Sequence, residues 1–518
     1  IPLRPSTPED ITDLDIDSEM VKNSITSLNN SNATGADKVR VQVIKKCINV
    51  LLPSITHLVR LAYNSGEPTD WKTSIVIPLF KNKGSKADPK NYRPISLASV
   101  FKKITETVVL NHLRSYCSRK EHIPTSQHGF IPNHSCETAL LGHTNLLYNA
   151  IEKGRPVYVI YLDQSSAFDK CSINGIISGM NNLGITGKTG KYIADWLSGR
   201  YQKVQVGDSF SELRAVTSGV PQGSRLAPYQ FALYVAPMVT GLKSMIKQYA
   251  DDVTLMAYAD NEEDLQALQE DLDRITAWSQ QQGLHFNPMK STIIKYGNGH
   301  IVRDFQIGGS IIPQSQETKD LGILFHYSLK FKNHVNSKVS KSIALINVLA
   351  RNIRSKNTVI LQKIYQTYIQ SILLYGSTIF NSFYLDVTKR LNHVYNHFWR
   401  SFKCPPPPSC RKPSVMLIVY DLSFCWRIFH RQTPYNFYEL FNFVNHGANT
   451  RYAEQGMLEI PQFVKASTLH SFPVRCAKLL NLIHPSSLLL SKKQYMSRSL
   501  DLAEVIANRQ AKIGRAHV

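Results

Sequence analysis

Three carboxylates stand out in this chain because of where they sit. Asp163 follows directly on the run Val157-Tyr-Val-Ile-Tyr-Leu162. Asp251 and Asp252 adjoin each other inside Gln248-Tyr-Ala-Asp-Asp-Val-Thr254, an apolar stretch with a hairpin-like pattern. Adjacent carboxylates repel each other, and burying them beside apolar strands is costly unless a cation compensates. Hard divalent cations such as Mg²⁺ bind carboxylate oxygens and keep several waters that substrate phosphates can displace. Phosphoryl transfer uses two such ions, one activating the attacking oxygen and one steadying the leaving group. One Asp from each of two neighbouring strands would build that clamp. An isolated Asp-Asp is weak evidence, usually a turn or a solvated face. Framed by strand residues and following a strand-end Asp, it says much more.

The elements that would hold these groups are legible from periodicity. Val157 to Leu162 is almost wholly apolar and β-prone, the mark of a strand buried on both faces. Ile75 to Phe80 is a second short β-branched run. Val39 to Leu61 and Leu97 to Leu113 show helical spacing. Asn261 to Gly283 reads as an amphipathic helix with Leu265, Leu268, Leu272, Ile275 and Trp278 on one side, stopped by Gly283. Strands and helices mix without a regular βαβ repeat, so the fold class is α+β. Beyond about residue 336 the chain turns helical and basic, with Lys338, Lys341, Arg351, Arg354, Lys356 and Lys363. Pro405 to Pro408 forms a stiff break and is expected to mark a subdomain boundary.

Composition narrows the partner. The 518 residues exceed what one core organises and should divide into two to four subdomains. Lys and Arg number 60 against 38 Asp and Glu, a net charge of +22. Such an excess costs self-repulsion, so a polyanion is the natural partner, although charge alone cannot name it. Eight scattered Cys without a CxxC pair read as reduced thiols in an intracellular protein. Cys404 and Cys410 fit no zinc spacing. No run reaches the ~18 apolar residues of a membrane span, and Ile1 opens no signal peptide. The chain does not begin with Met and is expected to be a fragment. Its ending, Ile513-Gly-Arg-Ala-His-Val518, reads as a translated sequencing adapter and is set aside.

Several segments, in order, resemble a known family: the reverse transcriptases, and among them the polymerases of non-LTR (LINE-like, jockey-like) retrotransposons. Thr34-Gly-Ala-Asp37 is similar to an N-terminal element of that family. Asn91-Tyr-Arg-Pro-Ile-Ser-Leu97 is similar to a fingers motif, and Gln127-His-Gly-Phe130 to the motif after it. Leu162 to Asp169 resembles the first catalytic block, Ser218-Gly-Val-Pro-Gln-Gly-Ser224 the next, and Tyr249-Ala-Asp-Asp252 the metal box. Leu284-His-Phe-Asn-Pro-Met-Lys290 and Lys319-Asp-Leu-Gly-Ile-Leu-Phe325 complete the series.

The resemblance implies a right-hand polymerase with an antiparallel-sheet palm, fingers and a helical thumb. It implies an extension over 1–30, fingers over 31–155, and a palm over 156–335 with a fingers insertion at about 172–215. A thumb over 336–435 and a C-terminal segment over 436–512 without an assigned role would follow. The implied activity is RNA-directed DNA synthesis with two Mg²⁺ ions, or Mn²⁺ in their place. Its partners would be template RNA, a DNA primer at target DNA, and dNTPs. The chain would work in a ribonucleoprotein of cytoplasm and nucleus. Asp163 and Asp251 would hold both metals, with Asp252 supporting and the carbonyl of Gln164 a further ligand. Phe168 would be a steric gate against the 2′-hydroxyl; as a residue type it is also an ordinary core Phe. Gln222 would touch the incoming nucleotide, with Gly219 and Gly223 allowing close backbone approach. Lys81 and Arg93 would grip the triphosphate, and Lys290 would protonate the leaving pyrophosphate. Lys81 and Lys290 read equally well as solvated charges. Gly129, Tyr249, Leu321 and Gly322 would face template and primer, the last two in a primer grip.

Some positions depart from the family pattern. Ile131 and His134 stand where Arg is usual, Ser166 where Lys is usual, and Ala227 where Gly is usual. These put template and nucleotide affinity in question and leave the metal ligands intact. They give a foothold to a rival reading, a decayed or domesticated copy that only binds RNA. A group II intron maturase, the second rival, would need a compact helical domain that is not recognisable here.

Overall fold

The computed structural model of the chain describes residues 7, 9–31, 33–164, 167–381, 385–434, 437–443, 457–461, 465 and 468–516. Ser166, His517 and Val518 lie outside the described residues, as do 451–456, 462–464 and 466–467 of the tail. In chain order the strands are β1 (Thr73–Phe80), β2 (Tyr92–Leu97), β3 (Val157–Leu162), β4 (Arg200–Val206), β5 (Ser209–Phe210), β6 (Arg214–Val216) and β7 (Met245–Tyr249). Then come β8 (Asp252–Tyr258), β9 (Thr292–Tyr296), β10 (Gln306–Ile307), β11 (Ser310–Ile311), β12 (Glu317–Asp320) and β13 (Ile323–His326).

The palm is a four-stranded antiparallel sheet in the order β7-β8-β3-β9. Every residue of β3 is buried, in keeping with its unbroken apolar run. Successive side chains of a strand point to opposite faces, and both faces are covered here. Tyr158, Ile160 and Leu162 join one apolar core with Val253, Leu255 and Ile293. Val157, Val159 and Tyr161 join a second with Met256, Ile294 and Tyr296. Fully burying one such aliphatic side chain is worth about 1.5–3 kcal/mol, so the apolar run itself fixes β3 at the centre.

The fingers sheet is built on β1. It pairs antiparallel with β2, from Ile75↔Leu97 to Phe80↔Tyr92, and parallel with β4, from Thr73↔Tyr201 to Val76↔Val204. β5 and β6 both pair with β4. The stretch at 172–215 therefore adds the helices Ile173–Asn182 and Gly187–Leu197 and returns a strand to the fingers.

The helical readings hold with local differences. Asn261 caps the helix Glu262–Gln281 by accepting the Asp264 N–H, three acids occupy the first turn, and Gly283 ends it at φ +72°. The spacing from Val39 to Leu61 splits into Val41–Lys46 and Ile48–Ser65. Leu97 belongs to β2, and the next helix begins at Val100, where Ser99 accepts the Phe101 N–H.

The boundary expected at Pro405 to Pro408 is not there. Tyr395, Trp399 and Phe402 before it share one core with Cys410, Leu417 and Phe424 after it. The Tyr395 hydroxyl also donates to the Cys410 carbonyl at 2.8 Å. The prolines turn the chain, but apolar surface on both sides has only one place to be buried. Phe472, Leu480, Tyr495 and Ala503 enter the same core. Fully buried Arg475 and Asp421 pair in this region at 2.8 and 3.0 Å. Among the described residues no helix is long and apolar enough to cross a membrane.

Candidate active site

The register of the palm sheet brings the carboxylates together. Leu162 lies opposite Val253, so Asp163 and Asp252 leave the same end of adjacent strands one residue further on. Tyr249 pairs with Asp252, so Ala250 and Asp251 form a two-residue turn between β7 and β8. Burial raises the pKa of the Asp251 carboxyl, and the charge of Asp163 adds to the rise against the lowering of a backbone hydrogen bond. Asp252 still reaches solvent, yet the protein packed around it is the largest cause pushing its pKa up to about 7. Asp251, Asp320 and Asp163 push the same way, and Lys247 opposes them.

Asp163 is anchored from behind. Its carbonyl accepts the Asn287 N–H at 3.0 Å, and its own N–H donates to Ser291 Oγ at 3.4 Å. The segment Leu284–Lys290 thus fastens the strand end and delivers Lys290, whose Nζ is 3.8 Å from Asp163 Oδ1. Gln164 is buried in an isolated bridge with Phe286, and among the described residues its Oε1 has no hydrogen-bond partner. Among the described residues no three His, Cys, Asp or Glu side chains are already closed into a metal-ligating group. The donor set still suits a hard divalent ion. It is all oxygen, mutually repelling and partly desolvated, and the cation beside Asp163 is an exposed lysine.

A second group surrounds the loop Ser218–Ser224. Val220 N–H donates to the Phe168 carbonyl at 2.9 Å. Gly219 sits at φ +73°, and a Cβ there would lie 2.7 Å from the carbonyls of Phe168 and Asp169. A Cβ on Gly223 would lie 2.6 Å from the Ser96 carbonyl of β2. The loop therefore packs backbone to backbone on both sides, which only glycine permits. Gln222 turns its amide to Asp169 Oδ1 at 2.7 Å. Half-buried Phe168 stacks on Phe231 with centroids 4.3 Å apart and meets Phe130 edge-on at 5.7 Å. Asp169, Gln222, Arg200, Pro94 and Ser96 line a cleft of about 320 Å³.

Lys81 and Arg93 are not gathered there. Lys81 Nζ donates to the Lys90 carbonyl at 2.8 Å across the β1–β2 loop. Arg93 is exposed opposite Leu79. Strand alternation puts it on the face away from Pro94 and Ser96. Among the described residues neither makes an ion pair.

The expected template and primer residues fall into two places. Gly129 packs against the catalytic turn, where a Cβ would lie 2.3 Å from Ala250 N. Leu321 and Gly322 form the turn of the β12–β13 hairpin, with φ +43° and +87°. Tyr375 donates to the Leu321 carbonyl at 2.9 Å and lies under Gly322. Tyr249 is half buried, and burial, with Cys136 beside it, raises its pKa. Next to this hairpin, burial, Lys341 and Lys319 lower the Lys338 pKa. His334 is lowered to about 4 by burial and by Lys338, Lys319 and Lys341. Among the described residues none of these three lysines has a carboxylate partner.

Sequence reasoning gave no role to five supporting residues. Lys247 and Asp320 form a buried ion pair between β7 and β12; a lysine inside an apolar strand was the available signal. Buried Glu106 accepts Trp196 Nε1 and Arg225 N–H, both at 2.8 Å, and so fixes the far end of the Ser218–Ser224 loop. Asp169 orients Gln222. Gln127 holds the turn that carries Asp251.

An antiparallel palm with carboxylates at one end, a fingers sheet and a helical thumb define a right-hand polymerase. Comparison with known proteins agrees. Residues 81–325 match the family "Reverse transcriptase (RNA-dependent DNA polymerase)". The chain is 26% identical over 355 residues to a probable RNA-directed DNA polymerase from transposon BS of Drosophila melanogaster, covering 65% of this chain and 39% of that protein. It is 26% identical over 381 residues to the RNA-directed DNA polymerase from mobile element jockey of Drosophila funebris, covering 70% and 41%. A solved apo telomerase from Candida tropicalis, truncated from its C-terminal domain, aligns at 13% identity and TM-score 0.35 over 55% of this chain and 59% of that one. Residues 81–325 carry a reverse transcriptase domain, and the chain is similar to the polymerases of non-LTR retrotransposons. It spans about two fifths of the length of these two curated relatives.

Proposed function

We propose that this chain is an RNA-directed DNA polymerase that extends a DNA primer along an RNA template during target-primed retrotransposition, within a ribonucleoprotein of cytoplasm and nucleus. The observation that carries the reading is the meeting of Asp163 with Asp251 and Asp252 at one end of the palm sheet. Asp163 and Asp251 would hold two divalent ions, which supply Lewis-acid activation of the primer 3′-oxygen and charge neutralisation on the leaving pyrophosphate. Asp252 supports them at the rim. Lys290, beside Asp163, would deliver a proton to the leaving group. Phe168, Gln222 and the glycine-flanked loop would seat the nucleotide, and Lys319, Lys338 and Lys341 the duplex backbone. Primer extension on an RNA template with dNTPs and Mg²⁺ tests the reading. RNA binding without extension under those conditions would favour the binding-only alternative.

Two further results are expected. Phe168→Ala opens the space beside Phe130 and Phe231. Incorporation of ribonucleotides should rise by at least about tenfold relative to dNTPs, a modest fraction of the 10²-fold scale on which pockets discriminate by size. An unchanged ratio would reduce Phe168 to packing. The second concerns charge. Each phosphate contact contributes a slope of about −0.7 to −0.9 to log affinity against log salt. Lys338→Ala combined with Lys341→Ala should therefore flatten the salt dependence of primer–template binding by up to about two, without changing which nucleotide is added. An unaltered slope would place the duplex elsewhere.

A further inference from the structure

The turn Ala250-Asp251 is held from outside the palm sheet. Ala250 has φ +57°, a conformation that favours glycine, and it is not glycine. Its backbone N–H points away from the β7–β8 ladder and donates to Gln127 Oε1 at 2.9 Å. The same oxygen accepts the Gly129 N–H at 2.8 Å, and Gln127 Nε2 reaches back to the Ala250 carbonyl at 3.5 Å. Gln127 is fully buried. Its neighbours extend the grip along the free edge of β7: Gln248 N–H donates to the Ser126 carbonyl and His128 N–H to the Gln248 carbonyl, both at 2.9 Å. Gly129 then lies so close to the turn that any side chain there would strike Ala250 N.

We propose that Gln127 is a positioning residue for Asp251: it pins the strained turn and thereby sets the spacing between the Asp251 carboxylate and Asp163. A turn in a sparsely populated conformation persists only when its surroundings over-determine it. Here the ladder closes one side and the Gln127 amide the other. Without the amide, a buried N–H and carbonyl lose their partners, and the turn can relax to other conformations that move Asp251. The spacing suffers first in divalent-ion affinity, since two carboxylates on separate strands must reach common ions. Duplex binding, which depends on Lys319, Lys338 and Lys341, does not suffer. The catalytic part of this inference rests on the polymerase reading; the pin itself does not.

The test uses the full chain carrying Gln127→Met, similar in length but unable to accept or donate these hydrogen bonds. Hydrogen exchange at the Ala250 amide should accelerate by at least tenfold while the amides of β3 keep their protection. Mn²⁺ binding, read by electron paramagnetic resonance without nucleotide, should weaken by about tenfold. The Mg²⁺ concentration for half-maximal extension should rise similarly, with primer–template affinity unchanged. Adding Ala250→Gly, which accepts the turn without strain, should recover part of the loss. If Gln127→Met does not fold, Gln127→Glu decides: it keeps the accepting oxygen and should keep the Ala250 protection. Unchanged exchange and Mn²⁺ affinity in Gln127→Met, or lost protection in Gln127→Glu, overturns the proposal. Should those two readouts shift as expected in a chain that never extends a primer, the pin stands and the polymerase reading falls.

Discussion

Asp163→Asn and Asp251→Asn should each lower primer extension by on the order of 10³-fold or more while leaving primer–template binding within about threefold. Loss of a single group that stabilises developing charge typically costs 10²- to 10³-fold in rate, and a metal ligand affects the attacking and the leaving oxygen together. The same replacements should make the ion-free protein more stable. Asp251 is held in an unfavourable charged state by burial and by Asp163, and Asp252 by burial and by Asp251. An amide removes that repulsion at nearly constant shape. The thermal midpoint without divalent ions should therefore rise in both variants, and the further rise caused by Mg²⁺ in the parent should shrink. A site arranged for catalysis sacrifices stability in this manner. Extension within tenfold of the parent, or a fall in the ion-free midpoint, would remove these residues from the chemistry.

What the sequence disclosed and what it hid follow from the range of the interactions. β3 was legible because six consecutive buried residues need no partner to be recognised. The helix Glu262–Gln281 was legible because cap, acidic first turn, apolar stripe and terminating glycine lie within one local stretch. The carboxylates were found because their chemistry is abnormal wherever they fold. Pairings between distant residues left no such trace. Gln127 reaches Ala250 across 123 positions and Lys247 reaches Asp320 across 73. Neither glutamine nor lysine announces burial by its type. The polyproline boundary failed for a related reason. Four prolines fix local stiffness, but whether apolar surface is shared across them depends on residues far away, such as Phe472 and Tyr495.

Arg475→Leu should be the most damaging substitution outside the active site, costing about 3–5 kcal/mol, the range for breaking a buried pair by removing one partner. Arg475 is fully buried and grips both oxygens of Asp421, at 2.8 and 3.0 Å. It also donates to the His470 carbonyl at 2.8 Å and to the Thr378 carbonyl. Asn381 completes the set by donating to Asp421 at 2.7 Å. The pair ties the helices Ser377–Phe380, Pro413–Phe429 and Phe472–Ile483 at one point. Leucine would leave Asp421 charged in an apolar core with, among the described residues, only Asn381 to answer it. Burial already raises the Asp421 pKa against the lowering effect of Arg475, so losing the arginine raises it further. The sign follows: a folded-state pKa above the unfolded value means that protonation favours the fold. The deficit of Arg475→Leu should therefore be largest at neutral pH and narrow as pH falls toward the ordinary carboxylate range. Asp421→Leu added to Arg475→Leu should recover most of the loss, because an apolar pair has no charge left to desolvate. Denaturant unfolding of the parent and the two variants at pH 7 and pH 5 measures all three expectations. A deficit independent of pH and not relieved by the second substitution would mean that the arginine stabilises this core by its volume alone.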